Sequence, residues 1–180
     1  MKKITLLMIC LFIGNLIFSQ KKITRDGQIK FEASVPAFEP VAAENNTVSA
    51  VLDMSNGEFA ALALIKAFKF KIPLMEEHFN ENYIESSKYP KATFKGKILN
   101  FDASKLTSSD KYDLEGDLTI HGVTKKIKTK ISLVSNNGKI NLTSNFTVQA
   151  KDFEIIIPSV VKSKVSDNVA VTVNFILDEK

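Results

Sequence analysis

The chain has 180 residues, 44% of them hydrophobic and 24% charged, proportions that fit one globular domain and exclude an acidic disordered tail, a collagenous repeat and a polytopic membrane protein. Its 24 cations against 20 acids give a formal charge of +4, which falls to about +2 without Lys2 and Lys3 at the head of the chain, too balanced for a nucleic-acid binder. Arg25 is the only arginine, so bidentate clamps for phosphate or carboxylate are scarce; at this length a core forms without disulfides or a metal.

Lys2 and Lys3 head an apolar run from Ile4 to Ile17, and Phe18-Ser19-Gln20 sets a small residue before a polar stretch. That order of regions predicts a secretory signal peptide over residues 1–19. The run is too short to cross a bilayer comfortably, and Gly14 and Asn15 weaken it as a membrane helix. Cys10 follows Met8 and Ile9 in mid-run, where acylation would call for small residues, so a lipid anchor is not expected. Cleavage after Ser19 reduces the 24 cations to 22 and leaves one domain, residues 20–180, with no cysteine and no stable membrane span. The expected location is periplasmic or secreted, and disulfides, thiol catalysis and cysteine metal sites drop out.

From Gln28 onward the dominant period is two, which predicts antiparallel strands. Ile29, Phe31, Ala33 and Val35 alternate with polar neighbours, and Val48, Ala50, Leu52 and Met54 repeat the pattern up to the turn Ser55-Asn56-Gly57. A longer apolar strand then runs from Phe59 to Ile72. After Pro73 the spacing of Met75, Phe79 and Tyr83 becomes four, with Glu77, Glu81 and Glu85 down another side, and one short amphipathic helix is predicted before Tyr89-Pro90. Pro73 suits its first turn, and Glu76 and Glu77 complement the helix dipole.

Alternation resumes over Ala92 to Asp102, Lys111 to His121, Val123 to Val134 and Lys139 to Gln149. Asn137-Gly138 and His121-Gly122 read as tight turns, the former a strong type I′ hairpin signal. Phe153 to Ile157 and Val165 to Leu177 complete the pattern. About eight strands and one helix make an all-β protein that can stack as a sandwich or close as a barrel. Closure removes exposed edges, so the expected fold is an extended eight-stranded antiparallel β-barrel, wide enough to be filled by side chains or to hold one slender ligand.

The stretch Gly116-Asp117-Leu118-Thr119-Ile120-His121-Gly122-Val123-Thr124-Lys125 resembles the signature hairpin of the YceI-like family. Tyr89-Pro90-Lys91-Ala92-Thr93-Phe94, the preceding LMEEHFNENYIES and the final strand introduced by Ser166-Asp167 are also similar. The resemblance spans about Gly27 to Leu177, with the polar stretch Glu44-Asn45-Asn46-Thr47 departing from the family pattern. It implies a lipocalin-like barrel, exported, whose lumen binds polyisoprenoid or another long apolar chain, with Gly116, Asp117, His121 and Gly122 as structural residues of the motif hairpin.

Little else in the chain carries chemistry. His121 at its turn either bonds backbone or serves as an acid or base; turn residues commonly act on their own backbone, so the structural role is expected. His78 reads equally as a packed core residue, a lumen-facing donor or a surface group. Two histidines without HxxxH or HExxH spacing predict no metal site. Asp113, Glu115 and Asp117 fall on a solvated strand face, as do Lys126, Lys128 and Lys130. No GxSxG elbow or glycine loop before a helix is present, so neither an enzyme nor a cofactor is expected. The ligand hypothesis rests on the apolar phase of the strands: Phe68, Phe70, Phe94, Ile98, Leu114, Leu118, Ile127, Ile131, Leu142, Phe146, Val171 and Val173. Burying about ten methylene equivalents there is worth roughly 8 kcal/mol before ordering costs. The expected function is therefore a non-enzymatic carrier of an isoprenoid or fatty lipid. The alternative is a structural or stress-response envelope protein whose barrel is filled.

Overall fold

The computed structural model describes residues 21–106 and 110–179; the expected signal peptide, with Cys10 and the cleavage position, lies outside the described residues. The strands are β1 (Lys21–Ser34), β2 (Ala42–Asp53), β3 (Glu58–Leu64), β4 (Lys69–Phe70), β5 (Lys91–Ile98), β6 (Asp110–Ile120), β7 (Val123–Asn136), β8 (Lys139–Gln149) and β9 (Val165–Glu179). One helix, α1 (Pro73–His78), continues into a wider turn over Phe79–Tyr83.

Eight strands pair in the order β1-β9-β8-β7-β6-β5-β3-β2, and β1 pairs with β2 to close the ring. Every pairing is antiparallel. The two-residue β4 stands outside this ring, bonded to the start of β2 through Ala43 and Glu44. Closure leaves the eight long strands without a free edge.

The turns hold the residues that their geometry demands. Asn137 and Gly138 both have positive φ, 50° and 80°, and His121 and Gly122 repeat the arrangement at 52° and 77°, as a type I′ turn requires. On the outer face of β6 and β7, Asp113 meets Lys130 at 2.6 Å, Glu115 meets Lys128 at 2.6 Å and Asp117 meets Lys126 at 3.2 Å. Each pair is directly opposed in the register. These exposed pairs contribute little stability individually, but they match only one register of the hairpin, since a slip of one residue would turn them inward.

Three expectations are corrected. The first strand begins at Lys21, seven residues before the alternation becomes visible, because irregular pairing around Gly27 breaks the period and because its inward positions include polar groups. Lys22 is buried, donating to the Gly138 carbonyl at 2.6 Å and to Glu179 at 2.8 Å, and the buried Thr24 donates to Asp26 at 2.6 Å. The long strand expected over Phe59 to Ile72 is split: after Leu64 the chain makes a tight turn in which the Phe68 N–H reaches the Ile65 carbonyl, before the brief β4. Phe153 to Ile157 is not a strand. Glu154 adopts a left-handed conformation, φ 58°, and its N–H and that of Ile155 fold back onto the Lys151 and Ala150 carbonyls.

The polar stretch Glu44 to Thr47 is part of β2. Asn45 is completely buried, and its carboxamide accepts from the Thr47 N–H and hydroxyl while donating to the Leu64 carbonyl at 3.0 Å. A buried amide with its bonds made is tolerated where an unpaired one would cost more than a kcal/mol.

Candidate functional site: the barrel lumen

The strand directions place the turns 53–58 and 136–139 and the segment 98–106 at one end of the barrel. The loop 35–41, α1, the His121-Gly122 turn and the segment 150–164 gather at the other. The first end is packed solid by Leu52, Ile98, Leu133, Ile140 and Leu177, each between 0% and 3% exposed. Above this plug lies a cavity of about 530 Å³, within the range of small-molecule sites.

Burial along β9 records the change from plug to cavity. Leu177 is sealed in the plug, Phe175 at the base of the cavity is 1% exposed, Val173 is 8% exposed, and Val171 and Val169 are half-buried although they share the same inward phase. A barrel filled along its length would bury all five alike. The inward residues of β8 grade the same way, from the buried Leu142 to the half-buried Phe146 and Val148.

Of the residues singled out in the sequence, Phe68, Phe70, Phe94, Leu114, Leu118, Ile127, Ile131, Leu142, Phe146, Val171 and Val173 all line the cavity. Ile98 is buried in the plug and is not part of the wall. Gly116 faces Gly96 across the β5–β6 pair, and a side chain at either position would collide with the Phe94 ring and with backbone oxygen. The two glycines therefore leave a flat bed on which the ring lies. Asp117 points outward to Lys126.

Sequence reasoning missed Phe59 and Phe175, which also line the cavity, and the polar pair in its wall. Thr129 and Ser144 are buried, 3.3 Å apart, and the Ser144 hydroxyl donates to the Lys130 carbonyl at 2.8 Å. With their bonds satisfied inside the protein, these hydroxyls add little polarity to an otherwise carbon-lined lumen. Their inward phase was legible in the alternation of β7 and β8; their mutual pairing was not.

At the mouth, Met75, Phe79 and Tyr83 turn the apolar side of the helical segment toward the lumen. Phe79 is clasped by Phe70 and Phe31, with ring centres 5.1 and 5.3 Å away, separations at which aromatic pairs attract beyond simple burial. Glu76 ties α1 to β4, accepting from Lys69 at 2.6 Å and from the Phe70 N–H at 3.2 Å. The hydrogen bond from Lys69 holds its carboxyl below the usual carboxylate range. The polar groups on the cavity wall here are Glu39, His78, Lys164 and Ser166, of which the first three are exposed.

His121 fastens the far side of the mouth. Its Nδ1 donates to the Phe153 carbonyl at 3.1 Å, its Nε2 lies 3.0 Å from the Glu85 carboxylate, and its ring stands edge-on to Tyr89 with centres 4.5 Å apart. A carbonyl only accepts, so Nδ1 is the donor in that bond. One side chain thus links the β6–β7 turn to the segments that follow the helix and β8. Among the described residues no group of three or more His, Cys, Asp or Glu side chains is placed to hold a metal ion.

A closed eight-stranded barrel with a carbon-lined lumen and a motif hairpin at its mouth narrows the identity, and comparison with known families decides it: the family model described as the YceI-like domain matches residues 19–177. The chain belongs to the YceI-like family. Relatives include a UPF0312 protein of Pectobacterium atrosepticum, 26% identical, and Protein YceI of Escherichia coli O157:H7, 25% identical. Each match covers 72% of this chain and 59% of the relative, so the chain spans only that share of the curated relatives it matches. Among solved structures, a polyisoprenoid binding domain from Saccharophagus degradans implicated in plant cell wall breakdown superposes with a TM-score of 0.75 at 14% identity, covering 89% of this chain and 99% of that one. BcnA of Burkholderia cenocepacia gives 0.69 at 17% identity, over 83% and 95% of the two chains. The YCEI protein of Campylobacter jejuni gives 0.65 at 20% identity, over 81% and 89%. At these identities the structural likeness establishes the fold. The YceI-like barrel is thus common to all three, while the lining described above is this chain's own.

Proposed function

We propose that this protein is an exported, non-enzymatic carrier that holds one long apolar chain, polyisoprenoid or fatty, in the barrel lumen. The observation that carries the reading is the 530 Å³ cavity whose wall is carbon except for the self-paired Thr129 and Ser144 and the polar groups at its mouth. Such a wall binds by excluding water and offers no charge or donor for chemistry within the lumen. The polyisoprenoid-binding description of the Saccharophagus degradans neighbour supports the same class of ligand.

Native mass spectrometry of the protein purified from its own host, followed by solvent extraction, tests this directly. The expected result is one long-chain lipid per barrel, released on denaturation. An empty protein of undiminished stability would favour the structural envelope role instead.

Export rests on the order of basic, apolar and small residues in Met1–Ser19. N-terminal sequencing of the same preparation should begin at Gln20; a membrane fraction retaining Met1 to Ser19 would make the protein a tethered one. No helix among the described residues is long and apolar enough to cross a membrane.

A further inference from the structure

The lumen has a floor, and the floor is aromatic. Phe59 of β3 lies between Phe94 of β5 and Phe175 of β9, with ring centres 6.0 and 6.2 Å apart, so three rings from separate strands meet inside the barrel. Glycines make the space for two of them. A Cβ on Gly27 would stand 2.4 Å from the Phe175 ring, and a Cβ on Gly96 or Gly116 would stand 2.7 or 2.6 Å from the Phe94 ring. All three phenylalanines face the cavity, whereas Leu52, Leu133 and Leu177 beneath them are completely buried and do not.

We infer that this plate of Phe59, Phe94 and Phe175 fixes the length of chain the lumen accepts, so that the ligand is a single aliphatic chain of about twenty backbone carbons, fatty or prenyl. The inference rests on the carrier reading above and deepens it.

Two independent measures give that figure. Along β9 the cavity wall runs from Val165 at the mouth to Phe175 at the floor; at about 3.3 Å per residue and a barrel tilt of about 40° this is roughly 25 Å along the axis. An extended hydrocarbon advances about 1.25 Å per carbon, from the ordinary bond length and angle, so roughly twenty carbons fill that depth. For volume, a methylene takes up about as much room as a water molecule in the liquid, about 30 Å³. The cavity of about 530 Å³ then holds close to eighteen such groups. A chain of twice the length must fold back or leave its end outside the mouth.

Each methylene that enters the lumen should strengthen binding about fourfold, and each one beyond the floor should add nothing. The test uses protein purified from its host, delipidated and refolded, with saturated fatty acids of even length from about twelve to about twenty-four carbons as probes. Affinity should climb steeply and stop rising near eighteen to twenty carbons. In Phe175→Ala and Phe59→Ala, each of which empties the room of about three methylenes, the break should move about two to four carbons longer while the affinity for the shortest acids stays within about twofold of the parent. Affinity that still climbs at about twenty-four carbons in the parent, or a break at about twelve, overturns the floor. So does a break that stays in place in both folded variants. The parent series decides by itself if neither variant folds. Failure of every acid to bind, together with no lipid in the host preparation, is a different result: it removes the carrier reading and the length limit with it.

Discussion

Phe94→Asp should cost several kcal/mol of folding free energy or abolish folding, whereas Lys95→Asp beside it should stay within about 1 kcal/mol of the parent. Phe94 is 8% exposed, its ring rests on Gly96 and Gly116, and its centre is 6.0 Å from that of Phe59. An aspartate there empties the ring's bed and places a carboxylate among the carbon side chains of Phe59 and Leu118. Lys95 points the other way, exposed and opposite Asp117. A carboxylate at position 95 meets only water and a like charge already paired with Lys126, a repulsion that solvent screens. Chemical denaturation of the two variants measures the contrast. Equal tolerance at both positions would mean that the register of β5 is shifted by one residue.

That contrast depends on alternation, and alternation is what made much of the fold legible. From Lys91 to Gln149 each strand keeps one dry and one wet face, the β6–β7 and β7–β8 turns carry His-Gly and Asn-Gly, and β6, β7 and β8 follow the written pattern closely, whereas β5 ends at Ile98 and not at Asp102. Legibility failed where a polar side chain finds its partner inside. Lys22 reaches the Gly138 carbonyl and Glu179, and Asn45 reaches Leu64, Thr47 and its hydroxyl; polar residues at buried positions break the written alternation, which therefore became visible only from Gln28 in β1 and from Val48 in β2. The segment Phe153 to Ile157 failed for the opposite reason: Phe153 and Ile155 pack against the core at the mouth without pairing as a strand, while Ile156, between Ile155 and Ile157, points to solvent.

The candidate site was legible in phase but not in height. A period of two tells which face a residue occupies and is silent about how far along the barrel it lies. Ile98 and Phe94 share the inward phase of β5, yet one belongs to the plug and the other to the cavity wall. Phe59 and Phe175 were readable as inward, but their meeting depends on the stagger of strands three neighbours apart, a consequence of closure that no local pattern encodes. The same holds for His121, whose partners Glu85 and Phe153 lie 36 and 32 residues away in the chain.

Height also decides which lumen substitution tests binding most cleanly. Ile131→Thr introduces a hydroxyl, but Ile131 is the register partner of Ser144, next to the Thr129 hydroxyl, so the new group has acceptors within reach and its effect should be mild. Leu118 has Phe94 as its partner on β5 and lines the wall beside the aromatic floor. An asparagine there keeps its water until a lipid chain displaces it, and the unpaired amide then costs about 1 to 3 kcal/mol, or about five- to 150-fold in affinity. Leu118→Asn should therefore bind labelled polyprenol and fatty acid more weakly by that factor. Its ligand-free stability needs a separate denaturation curve, because the loss of Leu118 also thins the packing around Phe94. A folded Leu118→Asn that binds both probes as tightly as the parent would place the binding site outside the lumen, and the carbon-lined cavity would then be no more than incomplete packing.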